Sequence, residues 1–267
     1  MEGSGVRTDK MIARKEGGVG TMIFNNPAKH NAVSLEMWQA TIEILEDFAR
    51  DDAVRVIVVR GAGGKAFVSG ADISKFEDER AEAEAVERYN ETSERAYLAL
   101  FESPKPTIAM IEGYCIGGGA GLAVCCDLRI CTDDAKFAIP AAKLGLGYGL
   151  TRLQRLIDLV GPSFTKEIFF TARQFTAQEA AVMGLVNRVV TRDQLEPYVQ
   201  DYAAKISENA PLTVRAIKRI TGEAMKDPGE RDVALCDRLV AECFASADYA
   251  EGRKAFMEKR KPVFEGR

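Results

Sequence analysis

Apolar residues recur along this chain with two different periods, and the places where one gives way to the other mark its elements. Val-Gly-Thr-Met-Ile-Phe at 19–24 reads as a strand, closed by Asn25-Asn-Pro27. Leu35, Trp38, Ile42, Leu45 and Phe48 then recur at helical spacing, which predicts a helix with Ser34 as N-cap, running through Arg50. Val54 to Val59 is nearly all β-branched and predicts a strand buried on both faces. A Gly61-Ala-Gly-Gly64 loop leads to Ala66–Ile73. Strand, helix and strand in this order predict a parallel βαβ unit.

Residues 75–102 are charged and alanine-rich, and predict a helix. Thr107 to Ile111, behind two prolines, predicts a buried strand, followed by a turn at Gly113 and a short buried helix over Leu122–Cys126. Strands are expected at Leu128–Cys131 and Lys136–Ile139, and a glycine-rich segment at Gly145–Gly149. Helices then dominate, at about 151–160, 162–171, 177–183, 192–208, 211–226, 229–244 and 246–260, with one strand at Val186–Val190. The division expected is a core over 10–204 and a helical region over 205–267, whose apolar faces predict packing onto another subunit.

The entry to the 122–126 helix carries the first chemical signal. Gly117, Gly118, Gly119 and Gly121 fall within five residues. Glycine there costs roughly 0.5–1 kcal/mol per position relative to alanine, so bare backbone is needed for a reason. Close packing, dinucleotide binding and an oxyanion site are the three readings. The dinucleotide fingerprint does not fit the spacing, and no Gly-Lys-Ser/Thr follows to make a phosphate loop. Packing and an oxyanion site both remain, because a helix start offers unpaired N–H groups to a developing negative oxygen.

Composition narrows the classes without choosing among them. The 267 residues are 46% apolar and 28% charged, with net charge −4. Without a basic block, an apolar run of transmembrane length or an h-region, the expectation is a cytoplasmic protein that binds neither nucleic acid nor membrane. Met1 to Lys10 is polar and glycine-containing, and is expected to be a disordered leader or residues foreign to the native chain. No C-x-x-C pair occurs among the six cysteines, and the chain has one histidine, His30, so reduced packing cysteines are expected and no metal site. A Ser-His-Asp mechanism would also lack its G-x-S-x-G elbow.

Six segments, in order, resemble the crotonase, or enoyl-CoA hydratase/isomerase, superfamily: Gly70-Ala-Asp-Ile73, Gly113-Tyr-Cys-Ile-Gly-Gly-Gly119, Cys126-Asp-Leu-Arg-Ile130, Phe169-Phe-Thr-Ala172, Ala181-x-x-Gly-Leu-Val-Asn187 and Phe256-x-Glu-Lys-Arg260. The resemblance implies an α/β fold, a spiral of ββα units with a C-terminal helical trimerisation region, and a trimer or dimer of trimers. It implies acyl-CoA as the small-molecule partner, with coenzyme A arriving as part of the thioester rather than as a bound cofactor. It also implies an oxyanion hole made by the backbone N–H groups of Ala71 and Gly118, which decides the glycine run in favour of that reading. Coenzyme A is then expected near Ala28, Lys29 and His30, with Ala71, Asp72 and Ile73 beside it and Phe256 and Lys259 approaching from the tail.

One departure bears on the reaction. Hydratases of the superfamily carry a glutamate two residues after the glycine triplet and another just after the proline matching Pro140; here these positions are Gly121 and Ala141. Hydration needs a base for water and an acid for carbon. Tyr148, at a position resembling the tyrosine of methylmalonyl-CoA decarboxylase, is a substitute or else a rim aromatic packing on the acyl chain. The neighbouring Gly149 matches the glycine whose backbone faces the water in hydratases. Asp72 is expected to support its turn and Cys115 to be packing, while Glu77, Asp78 and Glu112 are near enough in sequence to line a pocket. The expectation is an acyl-CoA enzyme working through a thioester enolate, by default a hydratase or lyase. The alternatives are a decarboxylase, isomerase or hydrolase of the same superfamily, or a non-catalytic acyl-CoA-binding protein.

Overall fold

The computed structural model describes residues 8–72 and 83–267. Ile73, Glu77, Asp78 and the first part of the helix expected from residue 75 lie outside the described residues, as do residues 1–7.

β1 (Met11–Glu16) and β2 (Val19–Phe24) pair antiparallel, and α1 (Leu35–Arg50) follows. The chain then repeats one pattern: a strand for a large sheet, a short strand for a small sheet, and a helix. The first round is β3 (Val56–Gly61), β4 (Ala66–Val68) and α2 (Ala83–Phe101). The second is β5 (Thr107–Ile111), β6 (Tyr114–Ile116) and α3 (Gly118–Cys125). The third is β7 (Leu128–Thr132), β8 (Lys136–Ala138) and α4 (Leu150–Thr171). β9 (Phe175–Thr176), α5 (Ala177–Val182), β10 (Arg188–Val190) and α6 (Arg192–Glu208) complete this part. The large sheet has the order β1-β2-β3-β5-β7-β10 and the small one β4-β6-β8-β9. From β2 to β10 the large sheet is parallel, as are β4, β6 and β8. This is the expected spiral of ββα units.

The near-continuous apolar strands follow from burial on both faces. Val56, Val58, Ile108, Met110 and Ile130 face Leu195, Val199 and Ala203 of α6. The alternate residues Ile57, Val59, Ala109, Ile111 and Cys131 point into the main core with Trp38, Phe48 and Phe67. A period of two therefore assigns each strand residue to one of two cores.

Four details differ from the sequence reading. β1 was not foreseen, and the expected leader is ordered at its end, where Lys10 Nζ pairs with Glu36 at 2.6 Å. The strand expected at Val54–Val59 runs instead from Val56 to Gly61. Ser34 begins α1 as expected, but its hydroxyl meets Glu36 Oε1 at 3.3 Å and caps no backbone N–H. The two helices expected at 151–160 and 162–171 form one run bent at Gly161, where φ is 73° and Pro162 follows.

α7 (Pro211–Ala224), α8 (Val233–Ala245) and α9 (Ala247–Glu258) form the helical end. Buried Asp248 accepts from the Glu265 and Gly266 N–H groups at 2.7 and 2.9 Å, folding the terminus back onto α9. Ile217, Phe244, Phe256 and Met257 nonetheless stay exposed along an apolar groove. Among the described residues no helix is long and apolar enough to cross a membrane.

Candidate active site

The glycines at the start of α3 divide by what a side chain would meet. A Cβ on Gly119 would lie 2.0 Å from the Val68 carbonyl oxygen, so this residue is glycine because α3 presses on β4. Gly117 is the N-cap with φ 56° and ψ −114°, a conformation that L side chains rarely adopt. Gly118 is the first helical residue, and no described hydrogen bond uses its N–H. Packing and an available donor thus coexist in the run, one residue apart.

The second expected donor sits on the loop after β4. Val33 donates to the Gly70 carbonyl at 2.8 Å and accepts from the Asp72 N–H at 3.1 Å, forming a parallel bridge opposite Ala71. In such a bridge the intervening residue turns its own N–H away from the partner strand. Ala71 N–H therefore points off the bridge, and no described hydrogen bond consumes it. Gly70, with φ 109°, brings the loop against α3: a Cβ on Gly118 would lie 3.6 Å from Gly70 Cα. The two loops that carry the donors touch through glycine backbone.

Their support is layered. Trp38 Nε1 donates to the Tyr89 hydroxyl at 3.0 Å, which donates to the Val33 carbonyl at 3.2 Å. Asn31, in left-handed conformation, sends its amide to the Ala62 and Ala66 carbonyls and accepts from Asn26 N–H. That clamps the Ala28-Lys29-His30 turn onto the Ala71 loop: Ser69 N–H reaches the His30 carbonyl at 3.1 Å, and Lys29 Nζ pairs with buried Asp72 at 2.9 Å. Ala28, Lys29, His30, Ala71 and Asp72 thus form one edge that runs from exposed to buried. Asp72 supports its turn.

Gly121 faces a side chain that the sequence reading missed. A Cβ there would meet the Tyr97 ring at 3.2 Å. Tyr97, from α2, donates to the Gly118 carbonyl at 3.1 Å and leans on Trp38, with ring centroids 5.0 Å apart. Burial pushes its phenol well above the ordinary value, so at neutral pH it is a proton-bearing donor. The Arg152 guanidinium lies over the same ring at 4.8 Å, with Nε on Glu94 at 2.6 Å. Tyr148 packs edge-on to Phe169 at 4.7 Å, and burial raises its phenol too. Tyr97, Gly121, Tyr148, Arg152 and Arg155 enclose a space of about 20 Å³. Ala141 is buried, adding no polar group.

Other expected residues lie elsewhere. Gly149 is the exposed N-cap of α4. Phe256 is 82% exposed on the groove of the helical end, which Ala28, Lys29 and His30 do not line, and Lys259 ends α9 in left-handed conformation. Within one chain the structure does not bring these two to the turn. Glu112 is engaged by Arg60 and Arg192 at 3.6 and 3.3 Å, away from the cavity residues. Cys115 is fully buried with its thiol pushed well up, as packing requires. Among the described residues no group of three or more metal-ligating side chains gathers. Tyr97, Glu94 and Arg152 could have been found only as inward positions of α2 and α4; nothing in the linear order pairs them.

The sequence matches the family model for enoyl-CoA hydratase/isomerase over residues 14–267. It is 35% identical over 256 residues to a crotonyl-CoA hydratase of Syntrophomonas wolfei subsp. wolfei, covering 96% of this chain and 98% of that protein. The fold is similar to a solved enoyl-CoA hydratase/carnithine racemase from Magnetospirillum magneticum, with TM-score 0.90, 36% identity and 97% of each chain covered. It is also similar to an enoyl-CoA hydratase from Bacillus anthracis, with TM-score 0.91, 30% identity, and 97% and 100% covered.

Proposed function

The chain belongs to the enoyl-CoA hydratase/isomerase family, and from this premise we propose that it binds an acyl-CoA in the cytoplasm and stabilises the thioester enolate with the N–H groups of Ala71 and Gly118. The observation that carries this reading is two backbone donors, unused by any described hydrogen bond, on loops that touch at Gly70 and Gly118. Coenzyme A lies along Ala28, Lys29, His30, Asp72 and the following Ile73. Phe256 and Lys259 reach it from the helical end of a neighbouring copy, which is why the groove there is uncovered in one chain.

As charge moves from the α-carbon to the thioester oxygen, preorganised donors hold the growing negative charge without reorganisation. Among the described residues, the two positions where hydratases carry their carboxylates hold none. Gly121 and Ala141 carry no acid or base, and the Tyr97 ring fills the space beside Gly121. Positioned proton-transfer groups contribute typically about 10²–10⁴-fold each, so hydration of crotonyl-CoA is slow here. A second reading, decarboxylation, is favoured by the same observation. Breaking the C–C bond of a malonyl-type thioester leaves its electron pair as the enolate and releases CO₂, with no carbon base needed. A proton then goes to the α-carbon, and Tyr148 orients the departing carboxylate.

The test is turnover on a panel of acyl-CoAs read by mass spectrometry, with crotonyl-CoA hydration and methylmalonyl-CoA decarboxylation measured side by side on wild type and Tyr148→Phe. Efficient hydration would contradict the reading of Gly121 and Ala141. Absence of decarboxylation, or indifference to Tyr148→Phe, removes the second reading. Absence of any turnover leaves an acyl-CoA-binding protein.

A further inference from the structure

The chamber beside Gly121 has an unusual charge balance. Two guanidinium groups, Arg152 and Arg155, line it together with Tyr97 and Tyr148. Only Arg152 has a described carboxylate partner, Glu94, whose side chain is 40% exposed. Arg155 is 7% exposed, and its described contacts are the Phe101 ring at 4.6 Å and Cys125 Sγ at 3.5 Å. A guanidinium so buried without an anion among the described residues is costly, because a thiol and an aromatic face replace little of its hydration. Arg152 itself uses Nε on Glu94 and Nη2 on Ser93 Oγ at 3.3 Å, leaving Nη1 with no described hydrogen bond. Two cations, one anion and spare donors surround a space too small for more than about one water.

We propose that this chamber is an anion subsite, in which Arg152 exchanges Glu94 for a carboxylate carried by the acyl group of the thioester. The inference rests on the acyl-CoA reading above and gives it a substrate class: thioesters of dicarboxylic acids. Geometry supports the exchange. Arg152 lies over the Tyr97 ring, while the hydroxyl of that ring sits on the Gly118 carbonyl, so one tyrosine separates the guanidinium from the oxyanion donors. An acyl group with its thioester oxygen at Gly118 N–H and a second carboxylate a few carbons away spans that separation. Glu94, half in solvent, can swing outward and free Arg152 Nε, and the chamber, which holds about one water, must widen as the carboxylate enters. The fork of Arg152 suits a carboxylate in two-point contact, and Arg155 adds long-range attraction through a poorly hydrated interior. The phenols of Tyr97 and Tyr148, both kept protonated by burial, supply further donors and no competing negative charge.

Calorimetric titration of the full chain compares thioesters of equal length: malonyl-, succinyl- and glutaryl-CoA against propionyl-, butyryl- and valeryl-CoA, with the thioester pool checked by mass spectrometry afterwards. At least one carboxylated thioester is expected to bind about tenfold or more tightly than its uncharged counterpart, the scale of a charge-assisted hydrogen bond. Arg152→Gln is expected to erase that ratio and Glu94→Gln to enlarge it, since the competing anion is gone. No preference for any carboxylated thioester, or one that survives Arg152→Gln, overturns the proposal. Should Arg152→Gln fail to fold, Glu94→Gln decides: a larger ratio supports the exchange, and an unchanged or smaller one overturns it. If no thioester binds better than free coenzyme A, the acyl-CoA reading falls, and the subsite with it.

Discussion

Replacing Gly118 by proline isolates the contribution of one N–H. At the first helical position proline fits, because that N–H has no intrahelical acceptor and proline's φ is preset for the helix. Gly117 ahead of it, at φ 56° and ψ −114°, lies outside the right-handed helical region that a following proline disfavours. The new Cβ meets the Tyr97 hydroxyl at 3.0 Å, the end of a buried side chain, which must retreat by a few tenths of an ångström. That endangers at most the Tyr97 bond to the Gly118 carbonyl, worth about 1 kcal/mol. Gly118→Ala adds the same Cβ and keeps the N–H, so it measures that cost alone and loses less than about tenfold in kcat. Gly118→Pro also removes the donor, worth about 3 kcal/mol at an oxyanion, or about 10²–10³-fold in kcat. The assay is steady-state turnover of the fastest thioester in the panel, with thermal denaturation confirming that both variants fold. A folded proline variant within tenfold of the alanine variant would refute the reasoning.

Gly121→Glu alone is expected not to restore hydration and to lower Tm, because its Cβ lands 3.2 Å from the Tyr97 ring; with Tyr97→Ala the carboxylate fits, and crotonyl-CoA hydration should rise in the double variant only. Sedimentation velocity at micromolar concentration should show a trimer or dimer of trimers through the exposed groove of α7–α9, and a monomer would contradict the assembly reading. Cys125 and Cys131, their thiols pushed up by burial to about 11 and about 12, hold little thiolate at pH 8. Iodoacetamide should therefore modify Cys236 or Cys243 before either, as followed by intact-protein and peptide mass.

The order of strands and helices was legible in the sequence because the two announce themselves separately, while the spiral of ββα units came from the resemblance. Ile108–Ile111 is apolar at every position, and the structure places the strand Thr107–Ile111 where expected, with one face toward α6 and the other in the main core. β1 was missed because Met11-Ile-Ala-Arg-Lys-Glu16 lies at the edge of the sheet with its last four residues exposed, so no alternation survives to be read. β6 was missed because three residues between Gly113 and Gly117 carry too little pattern. At the site, the proposal of Ala71 and Gly118 as donors came from the resemblance, which their flanking glycines carry. Tyr97 and Glu94, on one helix, meet Arg152 across 55 or more residues of chain, through the packing of α2 on α3 and of α4 beside them; only the fold assembles them.

The central claim is that the Ala71 and Gly118 N–H groups hold the thioester carbonyl, and isotope-edited infrared spectroscopy of carbonyl-labelled crotonyl-CoA reads that bond whatever the reaction. Two N–H donors weaken the C=O bond, so the labelled stretch should move to lower wavenumber on binding, and Gly118→Pro should reverse much of the shift. A bound thioester whose carbonyl stretch equals that in water, or whose shift is the same in Gly118→Pro, would contradict the account.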